Sequence, residues 1–358
     1  MTLHIFNPEH DLALACNQNN FTAPHAARQL HADLGFIPAI WAVKGDAVLV
    51  DDADYARKAI KKFETQMGRL GRGGTECNSA FIEISDISSL YVSDIDVWGW
   101  DAALCNTLIS HGVDKRMIPN LDRLETIRQL SHRRYACDLL QSLRTKGTVG
   151  EAYVCTNENE VQIHLARIGQ IVIKAPWSSS GRGLRFAFGT TTSHQDGWIK
   201  NMLKAQGSVM VEPYYKKVKD FGMEFYSNGL GTVTYLGLSL FNTTNGAYTG
   251  NVLATESTKM KAISRYVSES LLDDIKSLII AQLGPLYNDR YKGPFGIDMM
   301  IVQGEGMDGF LLHPCVEINL RRTMGHVALC MSPTDDDIKK VMRVTNTGNN
   351  YQLKIQPL

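Results

Sequence analysis

Two apolar segments near the C-terminal end of the chain, GIDMM (296–300) and CVEIN (315–319), each contain an acidic residue where a strand would bury it. Burying a carboxylate without a partner is costly, so Asp298 and Glu317 constrain the fold more than any other feature of the sequence. Alternate residues of a strand share a face, which places Asn319 beside Glu317. Two carboxylates and an amide oxygen on one face form a hard-oxygen site suited to Mg²⁺. The alternative is that all three are polar residues of edge strands that face water.

The relation between the two segments depends on the turn that joins them. If Met307 and Asp308 form the centre of that turn, the strands pair Asp298 with Glu317, whereas a different turn would shift the register. With this register the sequence predicts Asp298, Glu317 and Asn319 as magnesium ligands.

A lysine at the end of a predicted strand precedes a loop of small residues. The strand QIVIK (170–174) ends at Lys174, and APWSSSGRG follows it. Small residues let backbone N–H groups approach phosphate oxygens, serine hydroxyls add donors, and the lysine adds a fixed positive charge. The segment is not a Walker A loop, because the lysine precedes the glycines. It predicts a phosphate-binding loop or, alternatively, an ordinary hairpin turn with a surface lysine.

Two further segments place polar residues after apolar strands. VMVEPYY (209–215) ends at an acid and Pro213, which lacks the N–H group of a regular central strand. Such a segment can hinge two lobes and offer backbone groups to a flat base, or it is a strand end with a solvated glutamate. In LRRTMGH (320–326), Arg321 and Arg322 are placed for phosphate or carboxylate recognition, or they form a basic surface turn.

Strands alternate with helices over the first third of the chain. TLHIF (2–6) and AIWAV (39–43) read as strands, apolar residues at helical spacing predict a helix over 54–70, and 71–78 is a predicted loop. This alternation predicts a small parallel α/β domain over residues 1–128.

From about residue 129 the pattern changes. Ser131 is a predicted helix cap, LRFAF (184–188) is a predicted strand, and Asn228-Gly229 is a hairpin turn signal between two long strands. The predicted fold class is α/β plus α+β. The N-terminal domain precedes a small lobe with the phosphate loop (129–210), a large lobe with the metal site (211–345) and a tail (346–358).

The composition excludes several classes of protein. The 358 residues contain 37 Lys plus Arg and 37 Asp plus Glu, and this balance argues against nucleic acid as the main partner. No apolar run approaches the roughly 18–20 residues that span a bilayer, so no membrane partner is expected. The N-terminal segment lacks the basic region of a signal peptide. Seven scattered cysteines without a CxxC pair indicate a reduced, cytoplasmic protein.

In this order the features resemble the ATP-grasp superfamily over roughly residues 130–330. The resemblance implies a two-lobed unit that binds ATP and Mg²⁺, preceded by an α/β domain. In that family a basic residue early in the unit and a lysine on a central strand contact the ATP phosphates. Arg133 or Arg134 matches the first position and Lys174 the second. Arg321 matches the arginine of the family's E-x-N-x-R pattern.

The resemblance also implies a set of nucleotide contacts. The serine and glycine loop resembles a mobile loop that covers the phosphates, the segment after residue 211 resembles a hinge that reads adenine, and Glu224 matches the acid that holds ribose, with Asp220 as a substitute. The implied cofactor-binding residues are Arg133, Lys174, Ser178, Ser179, Ser180, Gly181, Gly183, Glu212, Pro213, Tyr214 and Glu224.

The usual chemistry of the family implies an ATP-dependent ligase. A small-molecule or peptide carboxylate attacks the γ-phosphate to give an acylphosphate, and an amine or thiol then displaces phosphate. Lys174, Arg321 and Arg322 are the predicted catalytic residues, because they would offset the charge on the transferred group. The alternatives are a kinase or phosphotransferase on the same scaffold and a nucleotide-binding regulatory protein without turnover. Assembly as a homodimer is left open.

The segment NPEHDLALA follows the first predicted strand, and ligands gather at the carboxyl ends of strands in open α/β sheets. We therefore expect Asn7, Glu9, His10 and Asp11 to face the central cleft and to hold an acceptor amine. The alternative is that Asn7 and Asp11 cap the first helix. His326 is a further predicted substrate contact.

Overall fold

The structure is a computed structural model that describes residues 1–68, 79–178, 183–244, 247–304, 309–348 and 350–358. The described residues form four sheets of four strands each. Several predictions lie outside the described residues. These are the loop at 71–78, the turn residues Met307 and Asp308, and the loop residues Ser179, Ser180 and Gly181.

The first sheet, here called the N-terminal sheet, is parallel with the strand order β3-β2-β1-β4, as the alternation of strands and helices predicted. Its strands are β1 Thr2–Ile5, β2 Ala47–Leu49, β3 Ala80–Ile82 and β4 Asp94–Val97. Its helices are α1 His10–Cys16, α2 His25–Leu34, α3 Ala53–Gly68, α4 Ala102–Ser110 and α5 Leu121–Leu130, with 3-10 helices at Ile37–Ile40, Ile84–Ser89 and Lys115–Met117.

Two local predictions for this part of the chain are wrong. The predicted strand at 39–43 is a 3-10 helix ending at Ile40, because Pro38 favours a helical first turn and a short apolar run does not distinguish a strand from a buried helix. Ser131 does not start a helix but follows the last residue of α5. Its hydroxyl donates to the carbonyl of Ile127 (2.8 Å), which is the back-bond that serine makes inside a helix.

The second sheet, the small-lobe sheet, is antiparallel with the order β5-β8-β6-β7. One face, which includes Ile171 and Ile173, packs on two helices. Lys174 directly follows Ile173 in the strand and therefore lies on the opposite face. The predicted strands at 170–174 and 184–188 are confirmed. The elements are α6 Arg134–Ser142, β5 Tyr153–Cys155, α7 Glu158–Ile168, β6 Gln170–Lys174, β7 Leu184–Phe188, α8 Ser193–Gln206 and β8 Val209–Pro213.

The third sheet, the large-lobe sheet, has the order β10-β9-β13-β14. Phe225 and Phe295 on one face pack against a long helix, which leaves the opposite face free for polar residues. The hairpin at Asn228-Gly229 is confirmed, and Gly229 has the positive φ (73°) that such a turn requires. The elements are β9 Lys217–Asn228, β10 Val233–Ser239, α9 Glu256–Ile263, α10 Glu269–Tyr287, β13 Lys292–Gln303, β14 Phe310–Asn319 and α11 Met324–Cys330.

The fourth sheet, the C-terminal sheet, has the order β11-β12-β15-β16. Its core residues Leu253 and Met342 share one apolar cluster with Phe6 and Leu34 of the N-terminal region. The predicted boundary at residue 346 falls at the end of β15, and β16 pairs with β15 over its whole length. The residues of the predicted tail thus belong to this sheet. Its strands are β11 Phe241–Thr244, β12 Ala247–Leu253, β15 Lys340–Asn346 and β16 Tyr351–Pro357.

In the described part of the chain, none of the helices has the combined length and apolar character needed to cross a membrane. Five of the described cysteines, Cys16, Cys105, Cys137, Cys155 and Cys315, have free thiols.

An ion pair joins the N-terminal sheet to the segment after β14. Arg322 donates from Nη2 to both oxygens of Asp96 on β4 (2.9 and 3.0 Å), and its guanidinium lies 4.3 Å from the ring centroid of Trp41. Asp96 also hydrogen-bonds to His4 (2.9 Å) and accepts from the indole N–H of Trp41 (3.0 Å). The structure therefore places Arg322, a predicted catalytic residue, in a structural joint and not among the acids.

Burial alone would raise the pKa of Asp96, but the bond to His4, the charge of Arg322 and the bond from Trp41 lower it to about 2, from an ordinary value of 3.8. Because the folded-state pKa is depressed, the ionised carboxylate stabilises the fold above about pH 4, and this stabilisation is lost as the pH falls toward 2.

We expect Asp96→Asn to lower the free energy of unfolding by about 2 kcal/mol at pH 5, and the difference from wild type to shrink as the pH approaches 2. Urea unfolding of both proteins between pH 5 and pH 2 measures this difference in the free energy of unfolding. Asp114→Asn is the control. The pKa of Asp114 is also lowered to about 2, mainly by bonds from Arg116, but the pair is exposed and its removal should change little. A loss for Asp96→Asn that stays constant from pH 5 to pH 2 would contradict this account.

Candidate active site

The two acids that dominate the sequence lie side by side in the large-lobe sheet. Asp298 on β13 is directly opposite Glu317 on β14, as predicted, and Asn319 is opposite Gly296 in the next row of the same face. Desolvation raises the pKa of Asp298 to about 7, the charge of Glu317 adds to the rise, and the hydrogen bond with Asn319 opposes it. A cation at this position would favour the ionised form of both acids.

The donor set is small but fits Mg²⁺. In the part of the chain that the structure describes, no group of three or more His, Cys, Asp or Glu side chains is arranged to hold a metal ion. Asp298, Glu317 and Asn319 offer two carboxylates and one amide oxygen. Mg²⁺ is typically held by one or two carboxylates together with waters and substrate phosphates, so this set suits a metal that arrives with a phosphate-bearing ligand.

Arg133, immediately before α6, reaches the acids from the small-lobe side. Its Nη2 lies 2.6 Å from Glu317 Oε1, and its Nη1 donates to Ser178 Oγ (2.9 Å) and to the carbonyl of Ala175. Arg133 is buried, whereas Arg134 is exposed. Of the two alternatives that the sequence left open, Arg133 is therefore the one beside the candidate site.

Lys174 at the end of β6 makes a buried ion pair with Glu212 on β8. The Nζ–Oε1 distance is 2.6 Å, and the lysine also donates to the carbonyl of Val316 (3.4 Å), which ties the two lobes together. Both side chains are less than a tenth exposed. The carboxylate of Glu212, predicted to belong to an adenine-reading hinge, thus holds the lysine that was predicted to contact phosphate.

The backbone of the predicted hinge lines an open groove. Pro213, Tyr214 and Tyr215 line it together with Gln170 and Phe188. The ring centroid of Phe188 lies 5.4 Å from that of Tyr214 in an edge-to-face arrangement, and Tyr214 N donates to the carbonyl of Gln170 (2.9 Å). A groove lined by aromatic rings can accept a flat ring.

Trp177 fixes the start of the phosphate loop. Its indole N–H donates to the carbonyl of Arg128 (3.0 Å), the Arg128 guanidinium lies 3.9 Å from its ring centroid, and its backbone N–H donates to Gln206 (3.0 Å). Trp177 is buried, so the loop starts from a rigid anchor. At the other end of the loop, a Cβ on Gly183 would collide with Ser178 Oγ, so only glycine fits there.

The row order along the large-lobe sheet contradicts the predicted ribose contact of Glu224. The hinge residue Tyr215 packs on His313, which is in the row of Met300 together with Asp220. Glu224 is two rows away, beyond Asp298, in the row of Gly296. With the base at the predicted hinge, ribose would lie between base and phosphates, so Asp220 is on the side of the acids that a ribose contact requires and Glu224 is not.

Glu224 is instead enclosed beneath α11. Burial, with the charge of Asp298, raises the pKa of Glu224 to about 8. Its Oε2 lies 3.1 Å from Nδ1 of His326, whose Nε2 faces the carbonyl of Phe225 (3.2 Å) and whose pKa burial lowers to about 3. With Nε2 as the donor, Nδ1 is an acceptor that a protonated Glu224 can approach. His326, a predicted substrate contact, is thus part of the packing and is only 3% exposed.

The predicted N-terminal cluster is not one site. Asn7 is buried and bonds to Gly99 through its donor (2.8 Å) and its acceptor (3.3 Å). The residue before α1 is Glu9, which has no capping bond, and its carboxylate hydrogen-bonds to His31 (3.1 Å). The predicted helix cap by Asn7 or Asp11 is therefore also absent from the described structure.

Asp11 is the member of the predicted cluster whose carboxylate binds a site residue. It accepts from Arg321 Nε (2.8 Å) and Nη2 (2.7 Å), while His10 is buried against Asp101 (3.4 Å). Burial would raise the pKa of Asp11, but the charge and hydrogen bonds of Arg321 lower it. A small cleft joins this corner to the acids, lined by His10, Asp11, Ser178, Glu317 and Asn319.

No family model and no curated protein sequence matches the chain. Its structure is similar to phosphoribosylamine–glycine ligase from Thermotoga maritima, with a TM-score of 0.52 and 14% identity over 96% of this chain and 80% of that chain. It is also similar to N5-carboxyaminoimidazole synthetase from Staphylococcus aureus complexed with ADP, with a TM-score of 0.50 and 13% identity over 97% and 83%. At this identity the likeness concerns the fold alone, and it agrees with the predicted fold class, an α/β part followed by an α+β part.

The position of Glu224 depends on a glycine in α11, which gives a direct test of its burial. A Cβ on Gly325 would collide with the Glu224 carboxylate and Ser239 Oγ, so Gly325→Ala should cost about 1–3 kcal/mol even though alanine favours helices. Gly197→Ala in the exposed part of α8, where nothing lies within 4 Å, should be neutral or stabilising.

Urea unfolding measures both changes. In a Glu224→Ala background the cost of Gly325→Ala should fall, because the colliding group is gone. The same cost in both backgrounds would show that Glu224 does not occupy this position.

Proposed function

We propose that the protein is an ATP-dependent ligase that joins a carboxylate, through an acylphosphate, to an amine or thiol. One observation carries the proposal. Asp298 and Glu317 lie side by side in one row of the large-lobe sheet, and two cations, Arg133 and Lys174, approach this row from the small lobe. Two proteins of the same fold are a ligase and a synthetase complexed with ADP, by their names.

The proposed nucleotide position follows the rows of the large-lobe sheet. The base enters the groove at Pro213–Tyr215, and ribose lies near Asp220. The phosphates meet Arg133, Lys174 and Ser178, whose cationic and hydroxyl groups bind phosphate oxygens. In this arrangement the two cations exchange their carboxylate partners for phosphate.

Asp298, Glu317 and Asn319 would hold Mg²⁺, which when bound neutralises phosphate charge and helps to orient the phosphates. The residues of the chain supply the remaining charge stabilisation and the positioning. Arg133 and Lys174 would offset the charge that builds on the transferred group, and Trp177 anchors the chain just before the predicted phosphate loop.

The proposed reaction needs no nucleophilic side chain. The substrate carboxylate oxygen attacks the γ-phosphorus and ADP leaves, and the acceptor nitrogen or sulfur then attacks the acyl carbon and phosphate leaves. Burial raises the pKa of Cys137 to about 12 and raises that of Cys315 well above its ordinary range, so neither thiol near the lysine is ionised at neutral pH. The proposal includes a small-molecule or peptide carboxylate as substrate and a cytoplasmic location.

We expect Lys174→Ala to weaken binding of Mg-ATP by roughly 30-fold, the equivalent of about 2 kcal/mol for a lost charged contact. Glu317→Gln should retain nucleotide but lower kcat by at least about 100-fold. Isothermal titration and ADP release measure the two effects. Lys200→Ala, at an exposed lysine of α8, is the control and should behave as wild type.

Product analysis with a library of carboxylates separates the candidate activities. ADP with free phosphate indicates a ligase, ADP with a phosphorylated product indicates a kinase, and binding without ADP release indicates a regulatory protein. Wild-type binding and turnover in both Lys174→Ala and Glu317→Gln would mean that the site is misplaced.

A further inference from the structure

The guanidinium of Arg321 makes four hydrogen bonds within the protein. Asp11 on α1 accepts hydrogen bonds from Nε and Nη2 in a bidentate contact (2.8 and 2.7 Å), and Nη1 donates to the carbonyl of Arg322 (3.1 Å). Nη2 also donates to Asn319 Oδ1 (3.1 Å). A two-pronged pair of this kind fixes the plane of the guanidinium as well as its charge.

Asn319 continues the chain of contacts to the acids. Its oxygen accepts from Arg321, so its NH2 group is the end that hydrogen-bonds to Asp298. The contacts run from Asp11 through Arg321 and Asn319 to Asp298, and they join the N-terminal region to the centre of the large-lobe sheet. Because Arg321 donates to the Asn319 oxygen, a fixed Arg321 sets which end of the amide faces Asp298.

We propose that Asp11 is a positioning residue through which the N-terminal region sets the arrangement of the metal-binding side chains. It holds Arg321, which in turn orients Asn319 beside Asp298. This inference rests on the proposed function of the site, because it concerns the residues that would bind Mg²⁺. It also means that Arg321, predicted to be catalytic, acts through Asn319. Asp11, predicted to bind the acceptor, acts through Arg321 and does not contact the acceptor.

A simple interdomain tether is the competing explanation, and the chain provides a matched control for it. Arg322 and Asp96 form a second ion pair across the same joint, with side chains 14% and 24% exposed, against 16% and 22% for Arg321 and Asp11. Asp96 bonds to His4, Trp41 and Arg322, none of which is in the acid row. Loss of a tether alone should therefore affect Asp11 and Asp96 variants alike.

The test compares Asp11→Asn with Asp96→Asn in the full chain. Mn²⁺ is titrated by electron paramagnetic resonance in the presence of ADP, and thermal unfolding is recorded in parallel. We expect both variants to lower the Tm, but only Asp11→Asn to weaken Mn²⁺ binding, by about 10- to 100-fold, the range found for residues that orient metal ligands. Asp96→Asn should change it less than twofold.

Arg321→Lys provides a second variant that keeps the charge next to Asp11 but cannot hold both Asp11 and Asn319 in one plane. It should lose Mn²⁺ affinity with a smaller fall in Tm than Asp11→Asn. Adding Asp11→Asn to Arg321→Lys should lower the affinity little further, because both changes act through the same contact.

Three results would overturn the inference. Equal Mn²⁺ affinity in wild type and Asp11→Asn would show that the pair is only a tether. A raised KM for the acceptor with unchanged Mn²⁺ affinity would make Asp11 a substrate contact. Absence of Mn²⁺ and ADP binding in the wild type would overturn the proposed function itself, and that result is distinguishable because it does not depend on any variant.

Discussion

The candidate site is organised around the cost of placing two carboxylates next to each other. Asp298 and Glu317 are directly opposed on neighbouring strands, and in the absence of compensation such a pair resists ionisation. Two neighbouring side chains compensate this cost. Arg133 comes from the start of α6, and Asn319 comes from the same strand as Glu317. The acids thus determine where the cations must lie, and the cations determine how the lobes meet.

Local patterns predicted the parts of this arrangement that depend on neighbouring residues in sequence. The opposition of Asp298 and Glu317 follows from one hairpin, and the strand that ends at Lys174 follows from one apolar run, so both were predictable. The pairing of Lys174 with Glu212 was not predicted. Each residue ends an apolar strand, but whether β6 and β8 are neighbours is decided by tertiary structure. The sequence did contain a signal for this pair, since Lys174 and Glu212 each follow an apolar run near the end of a strand.

The errors have the same origin. Glu224 has the right residue type for a ribose contact, but its row in the sheet places it beyond the acids, and only the pairing of three strands reveals that. The polar residues of NPEHD lie within five positions, yet Asn7 precedes α1 and Asp11 is in its first turn, so Asn7 bonds to Gly99 while Asp11 reaches Arg321. Proximity in sequence is therefore a poor guide to a shared site.

The adjacent arginines show how the N-terminal region is linked to the chemistry. Arg321 and Arg322 are consecutive and end in different carboxylates of the N-terminal region, Asp11 and Asp96. Arg321 also contacts the predicted metal ligand Asn319, whereas the guanidinium of Arg322 contacts Asp96 and Trp41 in the joint. Both arginines follow β14 directly, so the two ion pairs lie next to the end of the strand that carries Glu317 and Asn319. The contact between Asp11 and Arg321 therefore links the N-terminal region to the geometry of the acids. A chain that retained only the two lobes would leave Arg321 without the carboxylate that orients it.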